Sequence, residues 1–420
     1  MSPTSQEMDK VIVELGLAKD MGRKKEIAKG ILKAAREKGI YPASINAFYM
    51  ARGRSEFGGL TVPAINLRGM TYDLARALFR VAKAKNAGAF IFEIARSEMV
   101  YTDQSPAEYA ALCLAAAVRE EFSGPVFIQG DHFQAKTAKY KEDPGKEIGA
   151  IKSLIKEAIE AGFYNIDIDS STLVDLSKPT LAEQQRLNYE VCAELTKFIR
   201  QVQPEGVEVS VGGEIGEIGG KNSNPEELRA FINGYNQTLG GSLTGISKIS
   251  VQTGTVHGGM VLPDGTIAKV NLDFDTLKTL SNLAKEEFGL AGAVQHGAST
   301  LPNEMFYRFP EIETAEIHLA TQYQNMIYES SSFPLELRDK IYAWLRKELA
   351  SEKKEGQQDA QFIYKTRKKA FGAFKKDLLG LGEGVRGAIA KEIEEEFSFL
   401  FDKLNVANTK DLISKYYPKK

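Results

Sequence analysis

Three of the four histidines in this 420-residue chain sit in short glycine-flanked runs: Gln129-Gly130-Asp131-His132, Thr255-Val256-His257-Gly258 and Gln295-His296-Gly297. Imidazole is the commonest protein ligand for Zn²⁺ and similar ions, and a catalytic site takes about three protein ligands and leaves a fourth position open. A single histidine more often belongs to the core or the surface. Three in matching contexts, each behind a probable β-strand, point to a metal centre assembled from strand ends.

The elements that must bring these residues together can be read from the alternation of apolar and amphipathic stretches. Eight short runs rich in β-branched or apolar residues, at 62–67, 89–94, 125–129, 164–169, 207–211, 246–251, 292–295 and 314–318, alternate with helical patterns such as TYDLARALFRVAKAKN and EIGAIKSLIKEAIEAG. Eight strand and helix units predict an α/β fold, a (β/α)₈ barrel in preference to an open sheet. Chemistry in such barrels sits at the C-terminal strand ends, where Asp131, His132, Asp169, Glu214, His257 and His296 all fall. The expected organisation is a helical extension over residues 1–60, the barrel over 61–334 and a second helical extension over 335–420. The charges of that last stretch read as a solvated helical face, and its apolar stripe as a candidate oligomer contact.

Composition narrows the function classes. Charged residues make up 26% and the formal net charge is −2, with no dominant basic tract, so nucleic acid is not an expected partner. Cys113 and Cys192 lie in helical patterns far apart and read as reduced core thiols of a cytoplasmic protein. The opening MSPTSQEMDK lacks an apolar signal segment, and no run of about eighteen apolar residues occurs, which argues against secretion and membrane spanning.

Five motifs in order, Gln129-Gly130-Asp131-His132, Ile168-Asp169-Ser170-Ser171, the run from Gly213 through Glu214 and Glu217 to Gly220, Gly254-Thr255-Val256-His257-Gly258 and His296-Gly297-Ala298-Ser299, resemble the class II, metal-dependent fructose-bisphosphate aldolase family. The resemblance covers roughly residues 60 to 325. It implies that His132, His257 and His296 hold the metal, expected to be Zn²⁺, with Glu214 as an additional or alternative ligand. Asp131 would be the general acid and base on the substrate oxygen that becomes the aldehyde. The chemistry supports this division: a Lewis acid at a ketone oxygen stabilises an enediolate, and a carboxylate takes the hydroxyl proton. Small residues Gly258, Gly297 and Ser299 could bring backbone N–H groups close to a phosphate, and Thr321 matches a family phosphate contact. The implied ligand is a small sugar phosphate, and the implied assembly a homo-oligomer, dimer or tetramer.

Departures from the family pattern bear on the substrate. An acidic pair usually follows the double glycine of the mobile loop, where one Glu moves a proton on the ketone fragment; here Gly219-Gly220 precede Lys221-Asn222. Glu217, another carboxylate or water would take that role, or the reaction differs. His318 and Ala320 stand where an Asn that holds a substrate hydroxyl and an Asp are usual, and Ala95 where a Ser is usual, with Glu93 and Arg96 nearby. Arg96 could bind a phosphate or carboxylate in bidentate fashion. The foremost expectation is reversible cleavage of fructose 1,6-bisphosphate or a close ketose bisphosphate. A metal-dependent sugar or sugar-acid epimerase on the same barrel is the alternative. A non-catalytic chain like that of tagatose-bisphosphate aldolase is a third reading, against which the three retained histidines argue.

Overall fold

A computed structural model describes residues 4–216, 221–254, 261–263 and 272–417. Nine strands are present: β1 (Ile40–Ala43), β2 (Val62–Asn66), β3 (Ile91–Ala95), β4 (Gly124–Gln134), β5 (Asn165–Asp169), β6 (Ser210–Gly216), β7 (Lys248–Val251), β8 (Ala293–Gln295) and β9 (Glu316–Leu319). Strands β2 to β9 pair in parallel, each with its sequence neighbour, and β9 returns to β2, which closes an eight-stranded barrel with helices between the strands. The expected (β/α)₈ barrel is the observed fold, and every predicted strand overlaps one of β2 to β9. Strand β1 was not anticipated. It pairs in parallel with the first half of β4, from Ile40 opposite Gly124 to Ala43 opposite Phe127, below the point where β4 joins β5.

The N-terminal stretch closes the bottom of the barrel. Helix Asn46–Gly53 places Tyr49, fully buried, so that its hydroxyl donates to Glu316. From the same helix the buried Arg52 donates to the carbonyl oxygens of Ala291 and Thr314, which lie ahead of β8 and β9. The C-terminal helix Glu383–Lys403 packs along helix Thr71–Ala84, where Arg386 meets Asp73 at 3.1 Å and Arg80 meets Glu394 at 2.7 Å. Its apolar stripe, Ile389, Ile393, Phe397, Leu400 and Phe401, is buried within this chain. That stripe was expected to be available for oligomer contacts; instead it is consumed in covering the barrel's own helices. Cys113 and Cys192 are free and buried. Among the described residues no helix is long and apolar enough to cross a membrane.

The inside of the barrel is polar. In a strand, residues two apart share a face, and the inward pairs here are Asp167 and Asp169 on β5, Lys248 and Ser250 on β7, and Glu316 and His318 on β9. The lower members form one cluster: Lys248 Nζ lies 3.0 Å from Asp167, 2.7 Å from Gln129 Oε1 and 2.5 Å from Glu316. Gly212 on β6 makes room for it, since a Cβ there would lie 2.2 Å from Asp167 Oδ1. A buried ammonium needs such partners because an unpaired charge in the interior is costly. The same partners hold Lys248 in its charged form: burial opposes that form, but Asp167 and Glu316 outweigh it and raise the pKa.

Candidate active site at the C-terminal end of the barrel

Above this cluster, His318 of β9, with Glu93 of β3, Asp131 and His132 of β4 and His296 after β8, lines a cleft of about 300 Å³. Strand β4 delivers two consecutive side chains to it by breaking register. Gly130 pairs with Ile166 of β5, but Phe133 pairs with Ile168, so β4 carries one extra residue in a bulge. Within the bulge His132 adopts φ +40°, the left-handed region that a β-strand residue seldom occupies. Strict alternation would send Asp131 and His132 to opposite faces; with the bulge, both line the cleft.

His132 Nε2 lies 3.1 Å from His296 Nδ1, and Asp131 Oδ1 lies 3.7 Å from that same His132 nitrogen. Two ligand nitrogens each about 2.0–2.1 Å from one tetrahedral ion lie about 3.3 Å apart, so this pair fits a shared divalent ion. The other nitrogen of His132 faces Asp169 Oδ2 and Glu214 Oε2, each at 3.2 Å. His296 Nε2 is 3.0 Å from Ser250 Oγ. A carboxylate on the far nitrogen of a metal-binding histidine fixes its tautomer and orientation. Glu214 stands with Asp169 on this second side of His132, and these three side chains form another group close enough to hold an ion, in keeping with the additional or alternative ligand role that the resemblance implied for Glu214. Burial lifts the Glu214 carboxyl to about 7, with the neighbouring Asp169 charge adding to it. Asp169 stays below the usual carboxylate range: burial opposes this, but hydrogen bonds from His132, Ser171 and Gln134 prevail.

His318, at the end of β9, lies against this pair. Its ring centroid is 4.0 Å from that of His296, and its Nδ1 is 2.9 Å from Glu93 Oε2 and 3.3 Å from Asp131 Oδ1. On the other side its Nε2 meets Glu316 at 2.7 Å, which joins the cleft to the Lys248 cluster below. Burial disfavours a charged His318, but Glu93, Asp131 and Glu316 outweigh it and raise its pKa well above the ordinary value. Glu93 is pushed up to about 7 by burial and by Asp131, against the pull of His318. Glu93 Oε1 is buried and has no hydrogen-bond partner among the described residues.

The anticipated phosphate-binding residues gather on the same cleft. Gly297, with φ +71°, leads into the short turn Ala298–Thr300, and Ser299 Oγ accepts from the Ala320 N–H at 2.7 Å. Thr321 opens helix Thr321–Glu329 and lines the cleft with them. Arg96 lines the cleft too, but its guanidinium is already taken: Nη1 donates to Glu147 Oε1 at 2.6 Å and to the Gln134 carbonyl at 2.7 Å. The bidentate partner expected from a substrate is supplied here by a buried carboxylate of the chain. Glu217, His257 and Gly258 lie outside the described residues.

Sequence reasoning overlooked two parts of the cleft. Arg68, just past the end of β2, pairs with Glu98 at 2.8 Å, and Glu98 also accepts from Asn66. Lys368 comes from the C-terminal stretch. Arg68 was within reach as a charged residue directly after a barrel strand; Lys368 carried no such signal.

The profile of the family described as fructose-bisphosphate aldolase class-II matches residues 53–379. The chain belongs to that family. A fructose-bisphosphate aldolase of Giardia intestinalis is 25% identical over 224 residues, covering 51% of this chain and 54% of the relative, so the chain spans about half the length of the curated relative it matches. Among solved structures, the fructose-bisphosphate aldolase of Campylobacter jejuni superposes with a TM-score of 0.51 at 18% identity, over 88% of this chain and 97% of that one. The fructuronate-tagaturonate epimerase of Cohnella laeviribosi superposes with a TM-score of 0.63 at 11% identity, over 91% and 86%. At these identities the two structures speak for the barrel alone. The family as a whole is metal-dependent and acts on sugar phosphates, which agrees with the histidine and carboxylate groups at the strand ends.

Proposed function

We propose that the protein is a zinc-dependent aldolase that reversibly cleaves fructose 1,6-bisphosphate, or a close ketose bisphosphate, into dihydroxyacetone phosphate and glyceraldehyde 3-phosphate. The observation that carries this reading is the bulge that sets Asp131 beside the facing His132 and His296. His132 and His296 would hold the ion, with His257 as the third ligand, and a bound divalent ion there would supply Lewis-acid polarisation of a substrate ketone. Asp131 takes the proton of the hydroxyl that becomes the aldehyde, and returns it in the condensation direction. Asp169 and Glu214 keep the His132 ring turned toward His296. Gly297, Ser299 and Thr321 receive a phosphate, and Glu93 and His318 hold a sugar hydroxyl. Glu217 exchanges the proton on the bound ketone fragment. Lys248 is not poised for imine formation, since its ammonium is buried, paired and held charged.

A second reading, epimerisation of a sugar acid, is favoured by one feature. His318 and Glu93 provide another pair of ionisable groups 2.9 Å apart beside Asp131, where the family usually has an Asn. The zinc-loaded protein should be incubated with fructose 1,6-bisphosphate, tagatose 1,6-bisphosphate and fructuronate. Release of dihydroxyacetone phosphate from either bisphosphate supports the aldolase; conversion of fructuronate alone supports the epimerase.

A further inference from the structure

Residues 367–369 are three consecutive basic residues, Arg367, Lys368 and Lys369, carried by the C-terminal stretch. The outer two are tied down. Arg367 donates to Asn325 Oδ1 at 2.6 Å and to Glu329 Oε1 at 2.7 Å, and Lys369 pairs with Glu352 at 2.5 Å. Lys368 forms no salt bridge among the described residues. Its ammonium lies over the Tyr101 ring, 5.8 Å from the centroid, and it lines the same cleft as His132 and His296.

Two close approaches fix this placement. A Cβ on Gly69 would lie 2.3 Å from the Phe371 ring, and one on Gly372 would lie 2.4 Å from the Tyr101 carbonyl oxygen. Glycine at both positions lets the short helix Ala370–Ala373 and its flanks seat directly on the loop after β2 and on the end of the helix after β3. Lys375 then anchors it through Glu108 at 2.5 Å. Arg68 is paired with Glu98 at 2.8 Å and Arg96 with Glu147 at 2.6 Å, whereas Lys368 has no such direct pair among the described residues and is acted on by the Glu98 and Glu352 charges without a salt bridge to either. Burial first, and then the Arg68 guanidinium, lower the pKa of Lys368; an anion placed between the two cations would relieve that repulsion.

We infer that Lys368, together with Arg68, binds the terminal anionic group, phosphate or carboxylate, of an open-chain sugar whose carbonyl end lies at the histidines. This rests on the aldolase or epimerase reading only for which end of the sugar faces the histidines. The C-terminal stretch is therefore part of the binding site as well as a cover for the barrel.

Calorimetric titration of the zinc-loaded full chain with two unreactive ligands, a hexitol 1,6-bisphosphate and a hexonate, tests the assignment. Lys368→Met keeps the aliphatic stem and removes the charge; Lys368→Arg keeps the charge. For whichever ligand the parent binds, the methionine variant should bind about 10- to 100-fold more weakly, and the arginine variant should stay within about threefold of the parent. Selective loss for the bisphosphate identifies phosphate as the anion, and selective loss for the hexonate identifies carboxylate. A methionine variant that binds within about twofold of the parent overturns the inference, as does an arginine variant as weak as the methionine one, or a parent that binds neither ligand. A parent that binds the bisphosphate but cleaves no ketose bisphosphate would sink the aldolase reading and leave the Lys368 assignment standing.

Discussion

His132 Nε2 and His296 Nδ1 face each other at 3.1 Å across 164 residues of sequence, and Asp169 and Glu214 hold the opposite nitrogen of His132. The direct and the orienting residues should differ in what their removal does. Loss of an outer carboxylate typically weakens metal affinity about 10- to 100-fold. Asp169→Asn should fall in that range, and His296→Ala should exceed it. Competition against a zinc-responsive chelator measures both. Equal losses would mean that His296 is not a ligand.

Asp131 Oδ1 lies 3.7 Å from His132 Nε2, and the proposed mechanism uses it as the base and not as a metal ligand. Asp131→Asn keeps the shape and removes the base, so the ion should stay bound while turnover falls by roughly 10²- to 10⁴-fold. Zinc content and turnover number, measured on the same preparation, separate the two effects. Turnover within a few fold of the parent would reduce Asp131 to a positioning residue for His318.

The Lys248 cluster is a stability feature of the barrel interior. Lys248→Met has similar length but removes the ammonium from Asp167 and Glu316, which leaves His318 as their one remaining cationic partner among the described residues. Breaking a buried pair from one side costs about 3–5 kcal/mol. Urea unfolding should therefore show a loss of that size, and a loss below about 1 kcal/mol would show that protonation of the carboxylates absorbs the change.

Glu147 ties acid sensitivity to Arg96. Burial raises its pKa, but Arg96 and the Lys136 N–H outweigh that and hold it below the ordinary carboxylate value. A carboxylate with a depressed folded pKa binds fewer protons folded than unfolded. Its stabilisation is complete above the unfolded pKa, about 4.3, and is lost as pH falls through the folded value. Glu147→Gln should be less stable than the parent at pH 7, with the difference shrinking as pH falls below about 4. Thermal unfolding of both proteins across pH 3 to 7 would check this; a constant difference would contradict it.

Much of this was legible in the sequence, for local reasons. The eight barrel strands announced themselves by apolar runs between amphipathic helices, and all eight overlap observed strands. Strand β1, Ile40–Ala43, was missed because it is four residues long, contains Pro42 and sits between helical patterns. Its pairing with β4 is a long-range contact that no local pattern encodes. The charged interior was visible in part, since Glu316-Ile317-His318-Leu319 and Lys248-Ile249-Ser250-Val251 alternate polar and apolar residues. Asp131 and His132 were found by their type and company, but the bulge and the positive φ that aim them together depend on the register between β4 and β5. Arg96 reaches the cleft, but its pairing with Glu147 was not legible, because that partner lies on a helix 51 residues away. Lys368 had no local signal at all: it enters the cleft only because Gly69 and Gly372 let two distant segments touch.

The central claim is that this barrel end performs metal-assisted cleavage of a ketose bisphosphate. The measurement that tests it most directly is formation of dihydroxyacetone phosphate from fructose 1,6-bisphosphate by protein stripped with a chelator and then supplied with one equivalent of Zn²⁺. Cleavage should be absent in the stripped protein and return with the metal. Cleavage at full rate without metal, or none in a protein shown to have bound its zinc, would contradict the account.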